Sequence, residues 1–327
     1  MKKRIKNYIW ISLAVSLVAI LIWAKLRPSA DMAAAGVEPS AQTTTASSPA
    51  PVPAKPLFKK AAPENVTTIV AEQPQANGVN GNPQILKNEL GVEVPPLCFE
   101  RFFNTDQPVK EIDITTCESL SGYVNIKTGL VDGEYQTTYS FPAEPDMPAE
   151  TGLASYQMLG NRSEGIAIQT YSETGGTGRF SSILLANLKG NMLSLIRHVI
   201  GGDRCNGGIV ASKVENGTLI YSVNITPGDF PSLAWGQDKG LKAYEDLEAS
   251  AMSCFATATY TDGALTSVEL NPDALKEAGD WSDQYTYQKC FNAEFEKTLN
   301  SNPGSLSPEN FKIFMDRFYT SCVGKKP

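Results

Sequence analysis

The sequence predicts an α+β protein: an antiparallel β-rich domain (meander or sandwich), with a C-terminal disulfide-linked helical hairpin, behind one N-terminal transmembrane helix. Three observations predict it. An apolar run from Tyr8 to Ala24, broken only by Ser12 and Ser16, follows the basic cluster Lys2, Lys3, Arg4 and Lys6. Short β-branched and aromatic runs, punctuated by Gly, Asn and Asp, fill residues 152–272. Near the C-terminus, Phe311, Phe314, Met315, Phe318, Tyr319 and Cys322 recur at the period of one helix face.

Residues 1–7 read as a cytoplasmic tail and 8–24 as the span. Seventeen residues at 1.5 Å rise make a helix of about 26 Å, close to the minimum for a bilayer core. Tyr8, Trp10 and Trp23 lie near its ends, where amphipathic rings favour the headgroup level. Four basic residues precede the run and two, Lys25 and Arg27, follow it, which places the N-terminus in the cytoplasm. A cleaved signal peptide is the rival, with Ala33-Ala34-Ala35 as an A-x-A-like site. That cluster stands well past the apolar end, beyond both following charges, so retention as an anchor is expected.

Residues 25–95 read as a linker. Its first half is Ala, Pro, Ser and Thr with almost no large apolar groups, so it buries too little surface to order itself. As a flexible coil it reaches about 45 Å. Within it, Val66–Val70 (VTTIV) has the character of a short docking strand.

Residues 96–280 are expected to form the β-rich extracytoplasmic domain. Candidate strands are Gly122–Lys127, Glu134–Ser140, Ser155–Leu159, Gly165–Ser172, Arg179–Leu188, Met192–Ile200, Gly208–Val214, Thr218–Ile225, Ser253–Thr261 and Ala264–Leu270. Lys189-Gly190-Asn191, Asn216-Gly217 and Asp262-Gly263 are hairpin turn signals. The second and third close similar sequences, VENGTLIYSVNITP and YTDGALTSVELNP. Leu241, Tyr244 and Leu247 predict one amphipathic helix over Lys239–Ser250.

Residues 281–327 predict two antiparallel helices packed on that domain. The first runs from about Ser282 to Leu299 through Tyr287, Cys290, Phe291 and Phe295. The second starts at Ser307-Pro308-Glu309: a capping serine, a proline at the first helical position and an acid at the positive end.

All six cysteines lie beyond the span, which suits disulfides in an oxidising compartment. Nearest-neighbour pairing gives Cys98–Cys117, Cys205–Cys254 and Cys290–Cys322. No C-x2-C spacing occurs and there is one histidine, so neither a metal site nor a cofactor is expected.

Charge narrows the partners. The chain has 28 basic and 35 acidic residues, and from residue 96 onward the balance is 18 against 29, or −11. Such a surface repels nucleic acid and anionic lipid, so contact with the membrane is expected through the N-terminal helix only. Catalytic motifs are scarce. G-x-S-x-G is absent, and His198 lies in a candidate strand, on a face with Met192, Ser194, Ile196 and Ile200. The segment ETGGTGRFSS (173–182) lacks the lysine and spacing of a phosphate loop and reads as a hairpin tip. The segment GGDRCNGG (201–208) sets four glycines around Asp203, Arg204 and Cys205, making Asp203 and Arg204 the candidate recognition residues. The expected function is that of a single-pass bacterial inner-membrane protein with a periplasmic binding or scaffold domain for an envelope protein or cell-wall component. A carboxylate-based wall hydrolase and an inhibitor of a basic lytic enzyme such as lysozyme are the alternatives.

Overall fold

The computed structural model describes residues 84–103, 109–142, 150–277 and 283–324. The apolar run Tyr8–Ala24, the linker as far as residue 83 and its segment Val66–Val70 lie outside the described residues.

Among the described residues twelve strands form two antiparallel sheets. The first contains β1 (Glu111–Asp113), β2 (Val124–Val131), β3 (Glu134–Ser140), β4 (Thr151–Arg162), β5 (Gly165–Glu173), β6 (Arg179–Lys189) and β7 (Met192–Asp203). Its order is β1-β7-β6-β5-β4-β3-β2, a curled meander with β1 added beside β7. The second contains β8 (Ile209–Glu215), β9 (Thr218–Ile225), β10 (Ala256–Thr261), β11 (Ala264–Leu270) and β12 (Ser305–Leu306), in the order β12-β11-β10-β9-β8. Two-residue turns with both φ angles positive close three hairpins: Asn216-Gly217 (51° and 79°), Asp262-Gly263 (49° and 83°) and Asp132-Gly133 (52° and 84°). This is the primed geometry whose twist matches the flanking strands. The two hairpins of similar sequence are neighbours, β9 pairing with β10.

The central strands β5 and β6 are buried on both faces. Ala167, Ile183 and Leu185 point into one core, while Ile168, Leu184 and Ala186 point into the other, all at 0% exposure. This explains the unbroken apolar run Ile183-Leu184-Leu185-Ala186 where a half-exposed strand would alternate. The first core joins the second sheet to three helices: α1 (Phe230–Trp235), α2 (Gln288–Ser301) and α3 (Pro308–Phe318). Phe230 is its hub, with ring centroids 5.2 Å from both Phe291 and Phe311 and 6.1 Å from Phe314. The second core is covered by the segment preceding β2, through Leu86, Val94, Phe99 and Ile114.

The three disulfides are Cys98–Cys117, Cys205–Cys254 and Cys290–Cys322, with Cα separations of 5.0, 4.6 and 5.9 Å. The first pins the covering segment to itself; the last ties α2 to the turn after α3. An ion pair between Glu294 and Arg317 (3.2 Å) reinforces the same helical hairpin. Ser307 caps α3 by accepting the Asn310 amide.

Two helical expectations need correction. Lys239–Ser250 is a succession of turns, not a helix. Asp238 and Asp246 side chains accept the Gly240 and Lys242 amides, drawing the backbone away from helical bonding. Lys239 itself has φ of 51° and holds its ammonium 3.9 Å from the Trp235 ring centroid. Leu241 and Leu247 are buried all the same, whereas Tyr244 is exposed. The helix expected from about Ser282 begins only at Gln288. The preceding amides, of Thr286 and Tyr287, bond instead to carbonyls of Glu245 and Asp246.

Replacing Phe230 by Ala should lower unfolding free energy by about 3–5 kcal/mol, because it removes the ring shared by all three helices. Urea denaturation with the disulfides intact measures this. A loss below about 1 kcal/mol would contradict the packing described.

Candidate functional site

The cleft arises where the apolar cover of the first sheet stops. Alternation along β5 puts Ile168, Thr170 and Ser172 on one face, and along β6 it puts Leu184, Ser182 and Phe180 there. Thr170 pairs with Ser182 and Ser172 with Phe180 across the two strands. The apolar half of this face is roofed by the second core. The other half floors a cleft of about 560 Å³, walled by Leu97, Glu100, Arg101, Phe103 and Tyr123.

His198 enters from β7. Cross-strand register puts it opposite Leu184, on the same face as Leu193 and Leu195. It was expected beside Ile196 and Ile200. Two register shifts between β6 and β7 break the simple alternation, and Ile200 turns to the opposite core. The imidazole meets the Phe103 ring edge-on at 5.5 Å. Desolvation draws its pKa below the usual histidine value, partly offset by a hydrogen bond with the Ile200 backbone.

Glu100 is the other titratable group of note. Desolvation pushes its carboxyl up to about 7, and a hydrogen bond with Ser172 opposes the shift. Its charge in turn helps hold the Tyr123 and Tyr139 hydroxyls protonated, although desolvation is the larger cause for both. These two rings stack at 4.1 Å, and Tyr139 Oη is buried without a hydrogen-bond partner of good geometry among the described residues.

The glycine-rich segment borders this cleft. Gly201 and Gly202 continue β7 and line the cavity, so β7 ends three residues beyond the expected Ile200. A Cβ at Gly201 would overlap the Ser182 hydroxyl, and one at Gly202 would overlap the Asn206 carbonyl. Glycine is required at both positions by close approach. Asp203 and Arg204 are turned to each other. Arg204 Nε and Nη2 reach the two Asp203 oxygens at 3.0 Å each, and Asp203 also accepts the Arg179 amide at 2.8 Å. Arg204 occupies φ of 48°, and the adjacent Cys205–Cys254 bridge fixes the turn. The pair stands next to the cleft as a brace, while Gly201 and Gly202 form part of its wall.

Sequence reasoning did not find Glu100, Ser172, Thr170 or Phe180. The available signal lay in β5 and β6, whose faces change from Ile and Leu to Thr, Ser and Phe within two alternations. Glu100 gave no signal, because its burial depends on the segment folding back onto the sheet. Among the described residues, no group of three or more His, Cys, Asp or Glu side chains is arranged to hold a metal ion.

No protein-family model, no curated protein and no solved structure matches the chain.

Glu100 makes stability depend on pH. Its carboxyl titrates higher in the folded state, about 7, than its ordinary value of 4.5, so the folded protein favours the protonated form. The contribution is fully present below about 4.5 and is lost as pH rises through 7. Relative to Glu100→Gln, the native protein should therefore lose roughly 2–3 kcal/mol of stability between about pH 5 and pH 8. Denaturant titrations of both proteins at the two pH values measure this. Parallel pH profiles would refute the shifted carboxyl.

Proposed function

We propose that this is a membrane-anchored binding protein of the bacterial envelope, whose periplasmic domain recognises an envelope component in the cleft between the Cys98–Cys117 segment and the first sheet. The observation that carries the reading is the cleft itself: buried hydroxyls of Thr170 and Ser172 beside Phe180, which is 43% exposed. A concave site combining aromatic surface with a few oriented polar groups is the usual form of a ligand pocket. Pairing of all six cysteines supports an oxidising location, and the apolar run behind four basic residues supports an anchor with its N-terminus inside. The −11 balance of residues 96–327 favours partners that are neutral or basic.

A second reading has one observation in its favour. A carboxyl held near 7 is what a general acid for glycoside cleavage requires, and Glu100 supplies it. The second carboxylate of such a site is not among the residues lining the cleft. Glu173, in a neighbouring depression, is held by the Tyr171 hydroxyl (2.5 Å) and Arg179 (3.2 Å).

The binding reading is tested in intact cells with a photo-crosslinking residue replacing Phe180 or, as control, Met252, which is 72% exposed and outside the cleft. Adducts are expected from position 180 and not from 252, and protease added to spheroplasts should reach the domain from outside. Protection from external protease would overturn the location, and equal adducts at both positions would overturn the cleft. Wall-fragment release by the purified full chain, abolished in Glu100→Gln, would favour the hydrolase instead.

A further inference from the structure

Building on that reading, we infer that the cleft takes a neutral oligosaccharide, held by the hydroxyls of Thr170, Ser172 and Ser182 and by the ring of Phe180.

The centre of the floor offers side chains. It is made by β5 and β6, each of which has a hydrogen-bonded strand on both sides, and is bordered by β7, which β1 joins only over Met192–Ser194. The backbone donors and acceptors of β5 and β6 are spent on pairing, so an extended peptide finds no edge to join between them. What remains is a cluster of three hydroxyls: Thr170 donates to the Ser182 carbonyl (3.5 Å) and Ser172 is hydrogen-bonded with Glu100, so what these two keep for a ligand is chiefly their accepting capacity. Sugar hydroxyls can donate to the acceptors this cluster keeps and accept from Ser182.

The walls offer apolar faces. Phe180 keeps much of its ring exposed although it stands opposite Ser172 in the sheet. A Cβ at Gly178 would come within 2.7 Å of that ring, so the absence of a side chain at 178 is what gives it room. Phe103 and Tyr123 stand on the opposite wall. Rings beside hydroxyls suit a molecule with apolar C–H faces and a polar rim, which is the surface pattern of a pyranose.

Charge excludes the other classes. Arg101 is the one lysine or arginine among the lining residues, and Glu100 is the one carboxylate. An anionic ligand would meet a strongly acidic domain with a single counter-charge. A cationic ligand would need Glu100 ionised, whereas its partly desolvated position favours the neutral acid up to about 7. In that form it joins the hydroxyl cluster as a further donor and acceptor. The cavity, about 560 Å³, is large enough for more than one sugar ring.

The test is calorimetric titration of the detergent-solubilised full chain with a tetrasaccharide of N-acetylglucosamine, with tetramethylammonium as a cationic probe. Saccharide binding is expected. Phe180→Ala and Ser172→Ala should each weaken it about tenfold, the loss expected of one good contact, and Met252→Ala should not change it. Near-ultraviolet circular dichroism establishes that each variant is folded. His198→Ala, at an exposed position on the same face, serves if either variant is not. Co-sedimentation with insoluble wall glycan or with glycolipid micelles then assigns the source of the sugar. Absence of saccharide binding, binding unchanged by the cleft variants, or tighter binding of tetramethylammonium would each overturn the inference. Crosslinks from position 180 that persist in any of these cases would leave the cleft standing as a binding site for another ligand class.

Discussion

The structure depends on the β5–β6 pair being buried on both faces. Each strand must supply apolar side chains to two cores at once, and the stretch Ile183–Ala186 does so with four consecutive buried residues. Full burial of one such aliphatic side chain is worth about 1.5–3 kcal/mol, so this short stretch is a large part of what holds the two halves to a shared wall. The cleft follows from the same pair. Where these strands leave the roofed region, one face changes to Thr170, Ser172, Ser182 and Phe180, and the wall becomes the floor of a site.

The disulfides act on the two coverings of that wall. Cys98–Cys117 closes a loop within the segment that roofs the second core and flanks the cleft. Cys290–Cys322 and the Glu294–Arg317 pair close the helical hairpin over the first core. Each bridge narrows the unfolded ensemble, typically by about 2–4 kcal/mol. Lys239, held over Trp235 and 3.8 Å from Asp316, performs a similar task without a covalent bond. The sheet supplies the floor, and the cross-linked segments fix how far the walls stand from it.

Local chemistry made much of this legible in the sequence. Thr218–Ile225 and Ala264–Leu270 have the expected bounds because the Asn-Gly and Asp-Gly turns fix their ends. Asp132-Gly133 carried the same signal, which places the end of β2 at Val131, four residues past the expected Lys127. The second helix of the hairpin was announced by Ser307 and Pro308. The failures share one cause: tertiary partners overrode local pattern. Asp238, Asp246 and the ring of Trp235 turned Lys239–Ser250 into loops, and two register shifts moved His198 to the other face. The site was the least legible part, because Glu100 and Phe103 reach the sheet only through the fold of the preceding segment. In the Gly-rich segment, Gly201 and Gly202 line the cleft, while Asp203 and Arg204 stand beside it and bond to each other.

Hydrogen exchange in the native, oxidised full chain measures the doubly buried wall most directly. Amides of β5 and β6 around Ile168 and Leu184 should exchange only through global unfolding, more slowly than those of the edge strand β2. Exchange at Ile168 and Leu184 as fast as in β2 would contradict a sheet sealed on both sides, and the cleft built on its end would lose its basis.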